Sequence, residues 1–228
     1  PPLAGLTLGG LVRQIPTLVR TLPDQLARIT AELHRLDPGP LVTALDALDS
    51  PVPTTLSGFI SERIENATTL GRDDLVQAGR RLLQTEPHTT TRVICHGDLH
   101  PLNLLVTEQG GVLIDWTVAR VAHPAFDLAF TQLMLSNPPM PMPAAAKAAL
   151  GPLARSIAGR FLRRYRSMAA PVADLNDEVL GWHRQVHALR ALVELASWDA
   201  AGHRPPHHPW VVLEPVLRQS LGLQPASS

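Results

Sequence analysis

The chain has 228 residues, which is enough for one large domain or two small ones and for a sizeable buried core. Apolar residues make up 45% and charged residues 18%, as is typical of a soluble globular protein. The 20 basic and 20 acidic residues balance and no segment concentrates the basic ones, so we expect no nucleic-acid partner.

Two further features of the sequence indicate a cytoplasmic protein without a membrane partner. Every apolar stretch is interrupted before it reaches the length of a transmembrane helix. The single cysteine, Cys95, excludes an internal disulfide and fits a reducing compartment. The chain begins with Pro1-Pro2 and has no initiator methionine, so we expect it to be a piece of something longer.

Helical spacing dominates the first part of the chain. Apolar residues recur at helical intervals from Leu26 to Leu36, Thr21 and Pro23 are typical start signals, and Pro38-Gly39 ends the pattern. Further helices are predicted over 41–48, 56–70 and 73–86.

The hydrophobic period changes after residue 90. TRVIC (91–95) is short and β-branched, and NLLVT (103–107) and GVLID (111–115) flank a turn-prone segment at 108–111, which predicts a hairpin. After Pro124 the helical pattern returns, with helices predicted over 125–136, 143–169, 174–201 and 209–220. The predicted fold class is therefore α+β and mostly helical, with a small hairpin in the middle of the chain.

Polar side chains lie at the ends of the predicted strands. Asp98 and Asn103 are five residues apart on a loop, and Asp115 ends the second hairpin strand. Because a hairpin brings its outer ends together, we expect Asn103 and Asp115 to lie side by side and to offer the oxygen ligands that Mg²⁺ prefers. Asp98 would face the same point and act as a base for a hydroxyl nucleophile.

The sequence around these residues resembles the aminoglycoside phosphotransferase/choline-kinase-like family. HGDLHPLNLLV (96–106) and VLIDW (112–116) are close to that family's usual HGDLHPGN, hydrophobic run and IDW. The family also has a Pro-x-x-Asp-Leu-Ala segment after the IDW, and residues 124–129 match it. The resemblance covers residues 93–129 and implies a protein-kinase-like fold that transfers the γ-phosphoryl group of ATP or GTP to a hydroxyl of a small-molecule acceptor.

The resemblance also implies a role for each matched residue. Asp98 would orient and deprotonate the acceptor hydroxyl, while Asn103 and Asp115 would hold Mg²⁺ on the nucleotide phosphates. Asp127 would anchor the loop after Asp115 by accepting backbone hydrogen bonds. Three residues would support the site structurally: His96, His100 and Asp127.

Two positions depart from the family pattern. Leu102 stands where the family often has glycine, so the loop backbone there cannot rely on a positive φ. Ala122-His123 stands where Gly-Asp is common, which puts a family role for that position in doubt.

The resemblance implies the C-terminal lobe of a kinase alone. Residues 1–38 would be the post-hinge segment and first large helix, 91–129 the catalytic and metal-binding loops, and 130–228 a helical acceptor-binding subdomain. The glycine-rich turn and strand lysine of a nucleotide-binding N-terminal lobe are not recognisable, because 19 of the 20 basic residues are arginine and Lys147 lies in a predicted helix. We therefore expect the missing lobe to be a partner and the isolated chain to be inactive.

The acceptor is not identified by the sequence. Glu194 and Asp199, in the predicted 174–201 helix, are candidates for contact with a cationic substrate, although surface positions suit them equally. Residues 130–228 show no acidic excess, whereas an aminoglycoside acceptor favours a strongly acidic pocket.

Two other functions stay open from the residues alone. His96, Asp98 and His100 alternate along the chain and would suit the metal site of a hydrolase, which bound zinc in the purified protein would indicate. A kinase-like lobe kept as a non-catalytic binding module is the second. Nucleotide binding by the full-length protein, and its loss in Asp115→Ala, would separate the kinase from the non-catalytic module.

Overall fold

The computed structural model describes residues 8–47, 55–107, 110–139, 143–169, 171–172, 174–206 and 208–224. Within these ranges the helices are α1 (Leu8–Leu33), α2 (Gly39–Ala47), α3 (Leu56–Thr69), α4 (Asp73–Gln84), α5 (Ala125–Ser136), α6 (Ala144–Met168), α7 (Asp177–Ala200) and α8 (Pro209–Ser220). The strands are β1 (Val93–Cys95), β2 (Leu104–Thr107), β3 (Gly110–Leu113) and β4 (Arg120–Ala122).

The strands form two separate antiparallel pairs. β2 and β3 make the predicted hairpin, with Leu104 opposite Leu113. β1 pairs with β4, so that Val93 lies opposite Ala122 and Cys95 opposite Arg120. The sequence did not predict β4, because Arg-Val-Ala has no alternating pattern and becomes a strand only through its pairing with β1.

The last two helices begin at local capping signals. The side chain of Asn176 accepts a hydrogen bond from the Val179 amide at 2.9 Å and starts α7. The side chain of His208 accepts from the Trp210 amide at 3.2 Å and starts α8, with Pro209 at the first helical position. The predicted helices of this region are therefore confirmed to within three residues.

The predicted start of the first large helix is wrong. α1 begins at Leu8, so Thr21 and Pro23 lie inside it, and it ends at Leu33, before Leu36. A proline in a helix removes one hydrogen bond, and here the packing of α1 against α6 outweighs that loss. Asp24 on α1 forms ion pairs with Arg160 and Arg164 on α6, which fix the two helices side by side.

Two hydrophobic cores hold these elements together. The first core lies between α3, α4, α7 and α8 and includes Ile60, Leu75, Phe126, Leu189 and Leu217. The second core lies between α1, α5 and α6, and its fully buried side chains include Leu26, Leu99, Leu128, Phe161 and Tyr165.

Helix α5 contributes to both cores. Ten of its twelve residues are buried, with Phe126 and Phe130 facing the first core and Leu128 and Ala129 the second. A helix that is apolar all round is expected only where it is enclosed on every side. α5 is therefore the central element of the described structure, and the loop between β1 and β2 rests on it.

The predicted fold class, α+β and mostly helical with a small β-hairpin carrying the catalytic loop, is confirmed. The predicted turn at 108–111 lies partly outside the described residues, at 108–109, as does the start of the expected post-hinge segment, 1–7. The division of the chain into post-hinge, catalytic and acceptor-binding parts stays a prediction. Within the described ranges, every helix falls short of the combined length and apolarity that a membrane crossing requires.

Candidate active site

The loop from His96 to Asn103 connects β1 to β2 and carries most of the candidate residues. Gly97 has a φ of 78°, in the left-handed region. A Cβ atom at this position would lie 2.5 Å from the carbonyl oxygen of Val118 and 3.1 Å from the Phe126 ring. Only glycine therefore allows the loop to pass this close to the segment before β4.

Asp127 on α5 fixes the start of this loop. Its Oδ2 accepts a hydrogen bond from the His96 amide at 2.9 Å, and its Oδ1 accepts one from the Gly97 amide at 2.6 Å. The predicted backbone hydrogen bonds are therefore made to the loop before Asp98. The expectation that Asp127 anchors the loop after Asp115 is wrong, because both carboxylate oxygens accept from the amides of His96 and Gly97.

Asp127 is also paired across the second core. His34, in the turn directly after α1, contacts Asp127 Oδ2 through Nε2 at 3.1 Å, and its Nδ1 lies 2.9 Å from the hydroxyl of Tyr165 on α6. Complete burial alone would raise the pKa of Asp127, but the hydrogen bond and charge of His34 and the two amides lower it. The charged carboxylate thus links the loop, α1 and α6.

Asp98 is held by three different side chains. Asn103 donates from Nδ2 to the carbonyl oxygen of Asp98 at 2.9 Å and to its Oδ2 at 3.1 Å. His100 Nε2 lies 3.4 Å from Oδ2, and the Arg190 guanidinium donates to Oδ1 at 3.2 Å. Burial alone would raise the pKa of Asp98, but His100 and Arg190 together lower it to about 2.

Asn103 and Asp115 lie at the open end of the hairpin. The amide of Ile114 donates to the Asn103 carbonyl at 3.0 Å, so the backbones at 103 and 114–115 are neighbours, as the sequence predicts. Asp115 is exposed and has a φ of 62°, an uncommon conformation for a residue other than glycine. Its Oδ1 accepts a hydrogen bond from the Thr117 hydroxyl at 2.7 Å.

These two side chains suit a magnesium ion. Because Asn103 Nδ2 is committed to Asp98, the amide oxygen Oδ1 is the atom that Asn103 can offer to a cation. The carboxylate of Asp115 supplies further oxygen atoms. Mg²⁺ is bound by one or two protein oxygens together with water and phosphate, so this donor set fits it.

Both loop histidines make contacts to the backbone, and His100 also contacts the Asp98 carboxylate through Nε2. His96 is fully buried, its Nε2 lies 2.9 Å from the Ile114 carbonyl, and its Nδ1 accepts from the Asp98 amide at 3.3 Å. His100 accepts from the Leu102 amide at 3.2 Å through Nδ1 and so begins the 3₁₀ turn Pro101–Asn103. Neither His96 nitrogen faces Asp98 as a free ligand, which disfavours the hydrolase reading of the His96, Asp98 and His100 set.

A buried group of potential metal ligands elsewhere is fully used in hydrogen bonds. His34, Cys95 and Asp127 bring their ligand atoms within 4.8 Å of one another. His34 and Asp127 make the contacts given above, and the Cys95 thiol lies 3.6 Å from the His123 carbonyl. Burial raises the pKa of this thiol well above its usual value, which disfavours the thiolate form that a metal ion would need.

Arg190 and Thr131 are site residues that sequence reasoning missed. Arg190 on α7 donates to the Gly97 carbonyl at 3.1 Å in addition to Asp98, and Thr131 on α5 donates to the Leu99 carbonyl at 2.7 Å. The signal for Arg190 was present, since it stands in the otherwise apolar stretch HALRALVEL. The weak acceptor candidates are paired: Glu194 accepts from the Trp210 indole at 3.0 Å, and Asp199 forms an ion pair with Arg204 at 3.1 Å.

Comparison with known proteins identifies the family of the chain. Residues 3–165 match the family described as the phosphotransferase enzyme family, which is well over half of the chain. The chain therefore belongs to the phosphotransferase enzyme family, and the predicted family is confirmed. A search of curated proteins gives no match.

Two solved structures are similar to the chain. Macrolide 2′-phosphotransferase MphH from Brachybacterium faecium, crystallised as the apoenzyme, is 18% identical, with a TM-score of 0.48 over 90% of this chain and 62% of its own. Spectinomycin phosphotransferase APH(9)-Ia, in complex with ADP and spectinomycin, is 15% identical, with a TM-score of 0.47 over 89% of this chain and 64% of its own. The chain thus spans somewhat less than two thirds of the length of either protein.

Proposed function

We propose that the chain carries the catalytic and acceptor-binding part of a small-molecule kinase, which transfers the γ-phosphoryl group of ATP or GTP to a hydroxyl group. The observation that carries the proposal is the hydrogen-bonded set at the open end of the hairpin. There Asn103 contacts Asp98 through its side chain and the residue before Asp115 through its backbone. Membership of a phosphotransferase family supports the reaction class.

In this proposal Asp98 accepts a hydrogen bond from the acceptor hydroxyl. Its pKa of about 2 keeps it ionised at neutral pH and makes it a weak base. The transition state of phosphoryl transfer is loose, so the hydroxyl loses its proton late, when the attacking oxygen has become more acidic. Asp98 then contributes mainly by orienting the hydroxyl and accepts the proton at the end of the step.

Asn103 Oδ1 and the Asp115 carboxylate would hold Mg²⁺, which neutralises charge on the nucleotide phosphates when it is bound. The left-handed backbone of Asp115 and the hydrogen bond from Thr117 orient this carboxylate. The hydrogen bonds from Asn103 Nδ2 to Asp98 give the amide one orientation. Both oxygens are therefore preorganised, which reduces the entropic cost of metal binding.

The proposal includes a nucleotide-binding lobe that this chain does not supply. A kinase of this type uses a strand lysine and a glycine-rich turn on the phosphates. Lys147, the single lysine, is exposed near the start of α6. We therefore expect negligible kinase activity from the isolated 228-residue chain, and robust ATP-dependent phosphorylation by it would contradict this.

The test is an acceptor screen with the full-length protein, read as ADP release, followed by Asp98→Asn. The substitution keeps the shape of the side chain and removes its basic oxygen. We expect kcat to fall by about 10² to 10⁴-fold while nucleotide affinity stays within about twofold. Asp177→Asn, an exposed change in the first turn of α7, is the control. Equal losses of kcat and nucleotide affinity would overturn the role of Asp98.

A further inference from the structure

Three arginines from distant parts of the sequence lie against aromatic rings, and one of them, Arg190, also contacts Asp98. The guanidinium carbons of Arg63 on α3 and Arg120 on β4 lie 4.9 Å and 3.9 Å from the centre of the Phe59 ring. That of Arg190 lies 5.9 Å from the Phe130 ring and 5.7 Å from the Trp210 ring. The rings support the flat faces of the guanidinium groups and leave their N–H edges for other partners.

The positive charges of Arg63 and Arg190 both act on the guanidinium group of Arg120. Arg190 donates to the carbonyl of Gly97, Arg120 donates from Nε to the carbonyl of Val118 at 3.3 Å, and the Val118 oxygen packs against Gly97. Burial, followed by the charges of Arg190 and Arg63, lowers the pKa of Arg120 to about 10. Positive charge is therefore concentrated where the loop of Asp98 meets β4.

Arg120 carries a buried donor that nothing in the described part of the chain satisfies. Its side chain is part of a residue only 5% exposed, and its NH1 has no hydrogen-bond partner there. Arg63 Nε is likewise buried without a hydrogen-bond partner among the described residues, although Arg63 NH2 pairs with Glu62 at 2.8 Å. A buried guanidinium donor without a partner is costly, and Glu62, whose charge also acts on Arg120, is already paired with Arg63, so the position is favourable for a further anion.

The surrounding sequence agrees with an anionic ligand. Residues 130–228 contain ten basic and six acidic residues. The acidic candidates nearest the site are already engaged: Asp98 with Arg190, and Glu194 with the indole of Trp210. A polycationic acceptor would find few open carboxylates here and would face the three arginines.

We propose that Arg63, Arg120 and Arg190 form an oxyanion subsite beside Asp98, which binds a carboxylate or phosphate group of the acceptor. The proposal rests on the proposed function and narrows its substrate to anionic hydroxyl compounds. Arginine suits this task because its planar fork matches the two oxygens of a carboxylate or phosphate. Binding of the anion would hold the neighbouring hydroxyl close to Asp98.

The subsite is tested by anion binding without nucleotide or metal. Inorganic phosphate and, separately, succinate are titrated into the full chain by calorimetry, and the probe that binds more tightly indicates which anion the acceptor carries. We expect one site per chain, and we expect Arg120→Met to weaken binding about tenfold or more, because it removes charge-assisted hydrogen bonds. Arg184→Met, on the same helix as Arg190, is the control and should change the affinity less than about twofold.

Because Arg120 is buried, its replacement can impair folding, so Arg63→Met provides a second variant at a partly exposed position. It should also weaken binding about tenfold, with an unchanged melting temperature. Absence of binding of both anions, or equal binding by Arg63→Met and the wild type, overturns the subsite. Anion binding with no phosphoryl transfer in the acceptor screen would keep the subsite and refute the proposed function.

Discussion

At the scale of single residues, the site depends on a carboxylate that has no contact with solvent. Asp127 is fully buried and accepts hydrogen bonds from two consecutive loop amides and from His34. Each of its oxygens therefore satisfies a donor that would otherwise be buried without a partner. A buried carboxylate such as Asp127 stabilises the folded state only as long as all of its hydrogen-bond partners are in place.

Asp127→Asn should therefore be strongly destabilising. The amide keeps one oxygen acceptor, and its NH₂ group would face a loop N–H, so we expect the free energy of unfolding to fall by about 3 kcal/mol. Urea denaturation measures the change. Asp177→Asn, at the exposed start of α7, should cost less than about 1 kcal/mol. Equal losses in the two variants would contradict the anchoring role of Asp127.

Arg190 shows how one residue can adjust the chemistry of another. Its guanidinium and His100 hold the Asp98 carboxylate and offset the effect of burial on its pKa. Removal of the guanidinium in Arg190→Met should therefore raise the pKa of Asp98 from about 2. The measurement is the titration of the carboxyl carbon by NMR in protein labelled at aspartate. An unchanged pKa of Asp98 in Arg190→Met would contradict the contact between Arg190 and Asp98.

At the scale of elements, α7 carries two buried histidines on its inner face. His187 Nε2 lies 2.8 Å from the Phe126 carbonyl, and His183 Nδ1 lies 2.8 Å from the Val179 carbonyl. The second ring nitrogen of each has no partner among the described residues. Burial lowers the pKa of His187 to about 3 and that of His183 to about 4, so both rings are neutral in the folded protein.

The stability of the protein should consequently fall in mild acid. The pKa of both histidines is depressed in the folded state, so the unfolded chain binds more protons as the pH falls below about 6.5, and stability is lost from there down through the folded values. At pH 5 each histidine should cost roughly 2 kcal/mol relative to pH 7.

His187→Gln tests this assignment by urea denaturation at pH 7 and pH 5. The amide can still donate to the Phe126 carbonyl but cannot titrate, so the difference in stability between the two pH values should shrink by about 2 kcal/mol. His203→Gln, at an exposed position after α7, should leave the difference unchanged. An unaltered pH dependence in His187→Gln would show that another group is responsible.

At the scale of the whole molecule, the shared helix α5 joins the two cores. The first core contains Trp182 and Trp210, and the second contains Tyr165, the single tyrosine of the chain. Since α5 is buried on all sides, neither core can open without exposing part of it. We therefore expect the two cores to unfold together.

Leu26→Ala tests this coupling. Leu26 is fully buried in the second core, so its truncation should cost about 2 to 5 kcal/mol. The unfolding midpoints from tryptophan fluorescence and from the near-UV signal of Tyr165 should shift by the same amount, although Trp182, Trp198 and Trp210 lie in or against the other core. Leu36→Ala, 56% exposed just after α1, should cost less than about 0.5 kcal/mol. Separate midpoints in Leu26→Ala would contradict the coupling.

The sequence by itself determined the features that depend on neighbouring residues. The hairpin and the order of Asp98, Asn103 and Asp115 follow from strand periods and from a short turn, which brings 103 and 114–115 together locally. The last two helices likewise begin at the side-chain caps Asn176 and His208. The family followed from the same short segment of residues.

Only the tertiary structure decided which distant residues complete the site. Arg190 is 92 positions from Asp98, and His34 is 93 positions from Asp127, so no local pattern links them. β4 and the early start of α1 likewise depend on partners, β1 and α6, that lie elsewhere in the chain. The periodicity of a sequence indicates which face of an element is buried. The partner of a buried polar group depends instead on how the elements pack. This packing therefore determines which charged side chains meet in the site.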